Sequence, residues 1–148
     1  MKTTEELYKY YDSHTTEKMH LESKNLLLEL YFIRDEQHFF EELIETYSFQ
    51  LIVNEKFSQN RELIENWNKL QKKNDELIEN LIEHEKKLEV LLNKSYKTIN
   101  EIKYMLWHKN ILKDVEEHLT NYREIKRLVF DMVKEIMKKQ KQKHLLKE

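Results

Sequence analysis

Histidine and carboxylate side chains are the groups in this sequence that could carry chemistry, because the chain contains no cysteine, glycine or proline. Without cysteine there is no thiolate nucleophile and no sulfur ligand for a metal. Without glycine, neither a phosphate-binding P-loop nor a G-x-S-x-G nucleophile elbow can form. The histidines and the acidic residues near them are therefore the candidates for a metal or ligand site.

The spacing of these residues does not match the metal motifs of helical proteins. Hemerythrin-type sites place histidine pairs on one helix, and the sequence has no H-x-x-x-H. Ferritin-like bundles use Glu-x-x-His motifs on two helices, and the nearest spacing here is Asp35 with His38. We recognise no characterised family in these motifs. A metal site would have to be assembled from residues of different helices.

Three polar residues, Gln37, Asn74 and His84, interrupt seams in which apolar residues recur every three or four positions. A buried imidazole needs a donor and an acceptor, or a metal. Alternatively, a buried polar residue sets the register and orientation of packed helices at some cost in stability. We favour the second interpretation, a structural polar layer.

Helices must position these residues, because Leu, Ile, Glu, Lys and Asn recur in helical rhythm along the whole chain. The pattern predicts an all-α protein: a long antiparallel bundle with coiled-coil-like heptad packing, forming one domain over residues 1–148. It predicts a short N-terminal helix, capped by Thr3 and Glu6, followed by three long helices. The long helices are predicted to run from Thr15 or Thr16 to about Val53, from the Asn54–Asn60 break to about Asn93, and from Ser95 or Thr98 to about Lys143.

The second long helix has the most regular seam, with nine consecutive positions at heptad spacing. Ser58 or Asn60 is the expected N-cap of this helix. Trp67 occupies the seam, so we expect it to be buried, near Tyr47 and Tyr122. The seam consists of Leu63, Trp67, Leu70, Asn74, Leu77, Leu81, His84, Leu88 and Leu91.

Antiparallel geometry, with turns placed near residues 56 and 94, brings the candidate residues into two layers about 15 Å apart. One layer is expected to hold Gln37 or His38 together with Asn74 and the stretch from Asp114 to His118. The other is expected to hold His84. If the layers bind a metal such as iron, manganese or zinc, the candidate ligand sets are His84, His108 and Glu29, and His38, Glu42, Asp114 and His118.

Charge is close to balanced overall, with a net charge of −2, but it is unevenly spread. Residues 1–53 carry 5 basic and 11 acidic groups, whereas residues 123–148 carry 9 basic and 4 acidic groups. Residues 138–148 have lost the apolar pattern and are expected to form a frayed basic tail. Lys138, Lys139, Lys141 and Lys143 could bind nucleic acid or an acidic partner, but a solvated helix end is the favoured interpretation.

The favoured function is a non-enzymatic helical interaction module that self-associates or binds a helical partner, without a cofactor. A metal-binding bundle with a redox or storage role, and a binder of nucleic acid, are the alternatives. No apolar run approaches the length of a membrane span, and the first residues lack a signal-peptide core, so a cytoplasmic location is expected. Apolar residues beside the seams suggest the interaction surface: Phe32, Phe39, Leu43, Ile64, Ile78, Ile82, Leu92 and Leu106.

Overall fold

The computed structural model describes residues 16–93 and 98–146, with side chains from 17 to 90 and from 102 to 146. Of the described residues 97% are helical, which confirms the predicted all-α fold with packed helices. The short N-terminal helix was predicted for residues outside the described part. The helices are α1 (Thr16–Thr46), α2 (Ser48–Val53), α3 (Phe57–Asn93) and α4 (Thr98–Leu146).

The described chain divides into two compact units, and each long helix contributes one segment to each of them. Unit 1 contains residues 16–32, 75–93 and 98–117. Unit 2 contains residues 33–74 and 118–146. Each unit therefore has its own core and its own set of buried polar residues, and the two are described in turn.

The core of unit 1 is built from aliphatic residues and methionines. Met19, Leu88 and Met105 are fully buried and pack together, one from each long helix, with Ile102 and Tyr104 against them. Burying large apolar side chains in this way is the main source of stability in a narrow bundle. The remaining buried apolar residues of unit 1 are Leu30, Leu77, Ile78, Leu81, Ile111 and Val115.

The core of unit 2 contains a cluster of aromatic rings. The ring of Phe40 lies 5.5 Å from Trp67 and 6.5 Å from Phe130, and Trp67 lies 5.7 Å from Tyr122. Such edge and tilted contacts add to the stabilisation from burial alone. Trp67 is 1% exposed, so its predicted seam position is confirmed, whereas Tyr47 is half-buried and does not join this cluster.

The connection between the first two long helices differs from the prediction. The helical backbone changes at Tyr47, with φ −103° and ψ 18°, so residues 48–53 form a separate short helix. The chain reverses at Asn54, whose side-chain Oδ1 accepts a 2.8 Å hydrogen bond from the backbone N–H of Lys56. The predicted caps Ser58 and Asn60 are wrong, because α3 begins at Phe57 and both residues lie inside it. Asn is suited to this reversal because its side chain can replace a backbone acceptor.

The buried face of α4 includes histidines as well as apolar residues. Leu112 and Leu119 are half-buried, whereas their neighbours Ile111 and His118 are buried, as is His108. Two histidines, His108 and His118, therefore lie on the buried face of α4 together with Ile111. The helix passes His108 without a break and continues to Leu146, where residues 141–146 are exposed.

Candidate functional site

Unit 1 contains a buried pair of histidines. His84 Nε2 lies 3.0 Å from His108 Nδ1, and both side chains are fully buried. The same His108 nitrogen lies 3.4 Å from the hydroxyl of Ser23, and His108 Nε2 lies 3.4 Å from a carboxylate oxygen of Glu22. Three helices thus contribute to one chain of polar contacts that runs from the core to a half-buried carboxylate.

The protons of this chain are assigned from hydrogen-bond complementarity with both imidazole rings uncharged. The Glu22 carboxylate accepts a hydrogen bond, so His108 carries its proton on Nε2. His108 Nδ1 is then an acceptor, and His84 donates to it from Nε2–H. This leaves His84 Nδ1 as a bare nitrogen, buried and without a hydrogen-bond partner.

Burial keeps His84 neutral. The pKa of His84 falls from 6.5 to about 4, first because burial penalises the charged imidazolium and second because of its neighbour His108. The indole ring of Trp107 packs edge-on against His84, with 4.9 Å between ring centroids. Lys87 Nζ lies over the same indole ring, 4.8 Å from its centroid. His84 is therefore neutral at pH 7 and lies in a stacked, hydrogen-bonded contact with His108.

Ser23, His108 and Glu22 share the order of a nucleophile, a base and an orienting carboxylate. Ser23 is only 1% exposed, so a substrate has no path to its hydroxyl in this conformation. His108 Nδ1, the atom that would take the serine proton, already accepts a shorter contact from His84. The arrangement is therefore built to satisfy buried polar groups and not to attack a substrate.

Unit 2 has a smaller polar pair, formed by Asn74 and His118. The side-chain oxygen of Asn74 lies 3.0 Å from His118 Nε2, which therefore donates to it. The pKa of His118 falls to about 4, chiefly because of burial and secondarily because of the positive charge of Lys73. His118 Nδ1 is buried without a partner, as are both side-chain polar atoms of Gln37.

A second polar cluster of unit 2 is centred on the carboxylate of Glu36. The hydroxyl of Tyr122 donates to Glu36, and Lys126 Nζ lies 2.7 Å from the same carboxylate oxygen. Burial raises the pKa of Tyr122 above its ordinary value, and the hydrogen bond to Glu36 adds to the effect. Tyr122 therefore stays protonated and holds its ring against Trp67.

The structure brings together only some of the residues predicted for a site. His84 meets His108, and Asn74 meets His118, and all four are buried with Gln37. Glu29, His38, Glu42 and Asp114 lie on the surface instead. His38 Nδ1 lies 3.6 Å from Glu41, not from Glu42, with both side chains more than half exposed.

The position of the first chain reversal contributes to the error of predicting Glu29, and not Glu22, beside the histidine pair. Placing the turn near residue 56 sets Glu29 level with His84, but the chain reverses at Asn54 after the separate helix α2. The observed partner of the histidine pair, Glu22, lies seven residues from Glu29. A shift of one heptad keeps the same face of α1 toward the core, so the seam pattern alone could not reveal it.

A further group in unit 1 was not predicted. His20, on α1, faces Glu85 and Glu89, which are separated by four residues on α3. Spacing of i and i+4 places two carboxylates on one helix face, and this was the only sequence signal for the group. The identity of the facing histidine depends on the helix register.

Comparison with known proteins gives no family assignment. No protein-family model, curated protein or solved structure matches the chain. Among the residues that the structure describes, no helix has a stretch long and apolar enough to cross a membrane.

Proposed function

We propose that this chain is a non-enzymatic helical interaction module that self-associates. The observation that carries the proposal is a row of exposed apolar residues on α1 in unit 1, here called the α1 stripe. It consists of Leu21, Leu28 and Phe32, which are 59%, 66% and 65% exposed. Spacings of seven and four residues place all three on one face of a helix.

Exposure of the apolar side chains of the α1 stripe to water is energetically unfavourable. Burying one large apolar side chain stabilises a protein by about 1.5–3 kcal/mol, so three of them offer a substantial driving force for association. The buried polar chain of unit 1 does not explain why the residues of the α1 stripe are exposed, because that chain lies in the core and the stripe lies on the surface. Rows of exposed apolar residues mark contact sites more often than isolated ones do.

A second copy of the chain is the occupant that charge favours. Helix α1 carries eight acidic and three basic residues, whereas residues 123–148 carry nine basic and four acidic ones. In unit 2, the exposed face of α4 combines apolar and basic side chains; this α4 stripe consists of Phe130, Lys134, Met137 and Lys141. The net negative charge of α1 as a whole complements the net positive charge at the end of α4 in a second copy.

Sedimentation velocity over a concentration range up to tens of micromolar tests the proposal. The wild-type protein is expected to form oligomers that weaken as salt is raised, because charge contributes to the contact. Leu28→Glu combined with Phe32→Glu should give a monomer with unchanged helical circular dichroism. Val90→Glu is the matched control, since Val90 is an exposed apolar residue of unit 1 on a different helix.

Two results would contradict the proposal. One is a wild-type protein that sediments as a monomer throughout the range. The other is an oligomer that persists in the double α1 variant while the Val90→Glu control dissociates, which would move the contact to another face.

A further inference from the structure

We propose that His20, Glu85 and Glu89 form a binding site for a divalent transition-metal ion in unit 1. This proposal is independent of self-association and uses none of the residues of the α1 stripe. One ligand atom from each of the three side chains lies within 4.8 Å of the other two. The facing pair, His20 Nδ1 and Glu85 Oε1, is 3.8 Å apart.

The distance of 3.8 Å is too long for a hydrogen bond and suits two ligands that share an ion. Direct hydrogen bonds between nitrogen and oxygen are 2.7–3.2 Å long as a rule, with a mode near 2.9 Å. A zinc ion placed about 2.0–2.2 Å from each ligand atom separates the ligands by more than a hydrogen bond does. The three side chains are thus spread around a common centre and do not bond each other directly.

The state of His20 Nδ1 is an independent observation that points to a ligand. This nitrogen is buried and has no hydrogen-bond partner, although a carboxylate faces it. A buried polar atom without a partner is unfavourable, and a metal ion would satisfy it. The neutral imidazole nitrogen is also the commonest protein ligand of transition metals.

The two carboxylates supply the charge that a dication needs. Glu85 and Glu89 lie four residues apart on α3, where two like charges repel each other. A bound dication removes that repulsion, and the exposed position of Glu89 leaves an opening for entry and for water ligands. A set of one imidazole and two carboxylates suits zinc, manganese or ferrous iron and disfavours soft ions, which prefer sulfur.

Calorimetric titration of the full chain with Zn²⁺ at pH 7.5 tests the site. One ion per chain is expected. Glu89→Gln and His20→Asn are each expected to weaken zinc binding by about 100-fold, because changing even a residue that supports a metal ligand costs about 10- to 100-fold. Glu89→Gln alters an exposed residue, so it keeps the test valid if His20→Asn disturbs the fold.

His38→Asn is the matched control, because His38 faces Glu41 at 3.6 Å in unit 2 without a third ligand residue. Its zinc affinity should equal that of the wild type. The proposal is overturned if the wild type takes up no zinc. It is equally overturned if Glu89→Gln keeps full affinity while His108→Leu abolishes it, which would locate the ion at the buried histidine pair.

Discussion

The two units bury histidines in the same kind of seam position but give them different hydrogen-bond partners. In unit 1, His84 donates to His108, and His108 in turn donates to Glu22, so the polar chain ends on a carboxylate near solvent. In unit 2, His118 donates to the neutral amide of Asn74, and Gln37 is buried with neither side-chain polar atom paired. Similar seam positions therefore carry different amounts of unsatisfied polarity.

This difference shows that a polar residue in a helical seam has no fixed energetic effect. A buried group that completes a chain of hydrogen bonds contributes to specificity, whereas an unpaired one lowers stability. Unit 2 offsets its unpaired groups with the aromatic cluster around Trp67. Unit 1 relies on aliphatic packing and on a polar chain in which His84 Nδ1 is the atom left without a partner.

The largest expected effect is the loss of the aromatic cluster of unit 2. Trp67→Ala should lower the free energy of unfolding by about 3–5 kcal/mol, because it removes a fully buried large side chain and leaves a cavity. Urea unfolding followed by circular dichroism measures this change. Trp107→Ala in unit 1 is the matched control and should have a smaller effect, since Trp107 is only half-buried.

An independent check uses iodide quenching of tryptophan fluorescence in a Trp107→Phe background, where Trp67 is the only tryptophan, with excitation at a wavelength that tyrosine does not absorb. Trp67 should resist quenching in the folded protein. Free access of iodide would show that the core of unit 2 is not packed as described.

The next effect concerns both units and appears on acidification. The pKa values of His84 and His118 are about 4 in the folded protein and about 6.5 in the unfolded chain. Between pH 6.5 and pH 4 these histidines are protonated in the unfolded chain but not in the folded protein. The contribution of the neutral histidines to the free energy of unfolding is therefore fully present above pH 6.5 and is lost as the pH falls to about 4. Each histidine contributes roughly 3 kcal/mol of this loss.

Urea unfolding at a series of pH values between 7 and 4 measures the loss. His118→Asn should flatten the dependence by the share of one histidine, whereas His38→Asn, at an exposed position, should leave it unchanged. An unchanged slope in His118→Asn would show that this histidine is protonated in the folded state.

The smallest effect distinguishes the two polar arrangements directly. Gln37→Leu in unit 2 should raise the free energy of unfolding by about 1–3 kcal/mol, because it removes two buried polar atoms without partners. His84→Leu in unit 1 should keep the fold and change stability by less, since it also removes the donor to His108. Thermal unfolding of both variants and the wild type measures the difference between the two stability changes. An equal increase in the free energy of unfolding in both variants would mean that the polar chain of unit 1 contributes nothing to stability.

The sequence was sufficient to predict the elements and most of the buried faces. Long seams without Gly or Pro specify three long helices, and Gln37, Asn74 and His84 were correctly placed among core residues. Helix faces are predictable because burial follows a period that is visible in the residues themselves.

Contacts between helices were harder to predict, because they depend on where the chain reverses. The Asx turn at Asn54 places the reversal earlier than predicted and shifts the register of α1 in the direction of Glu22, which takes the place predicted for Glu29. The same dependence hid the approach of His20 to Glu85. Burial of His108 and His118 was visible only as three- and four-residue spacing from Met105 to Tyr122.

The two tryptophans of the chain are divided between the units, Trp107 in unit 1 and Trp67 in unit 2. Trp107 packs against His84, and Trp67 packs against Phe40 and Tyr122. Each unit thus has its own optical label, placed beside the residues that distinguish it. Two single-tryptophan proteins would follow the melting of each half of the molecule separately, without any attached dye.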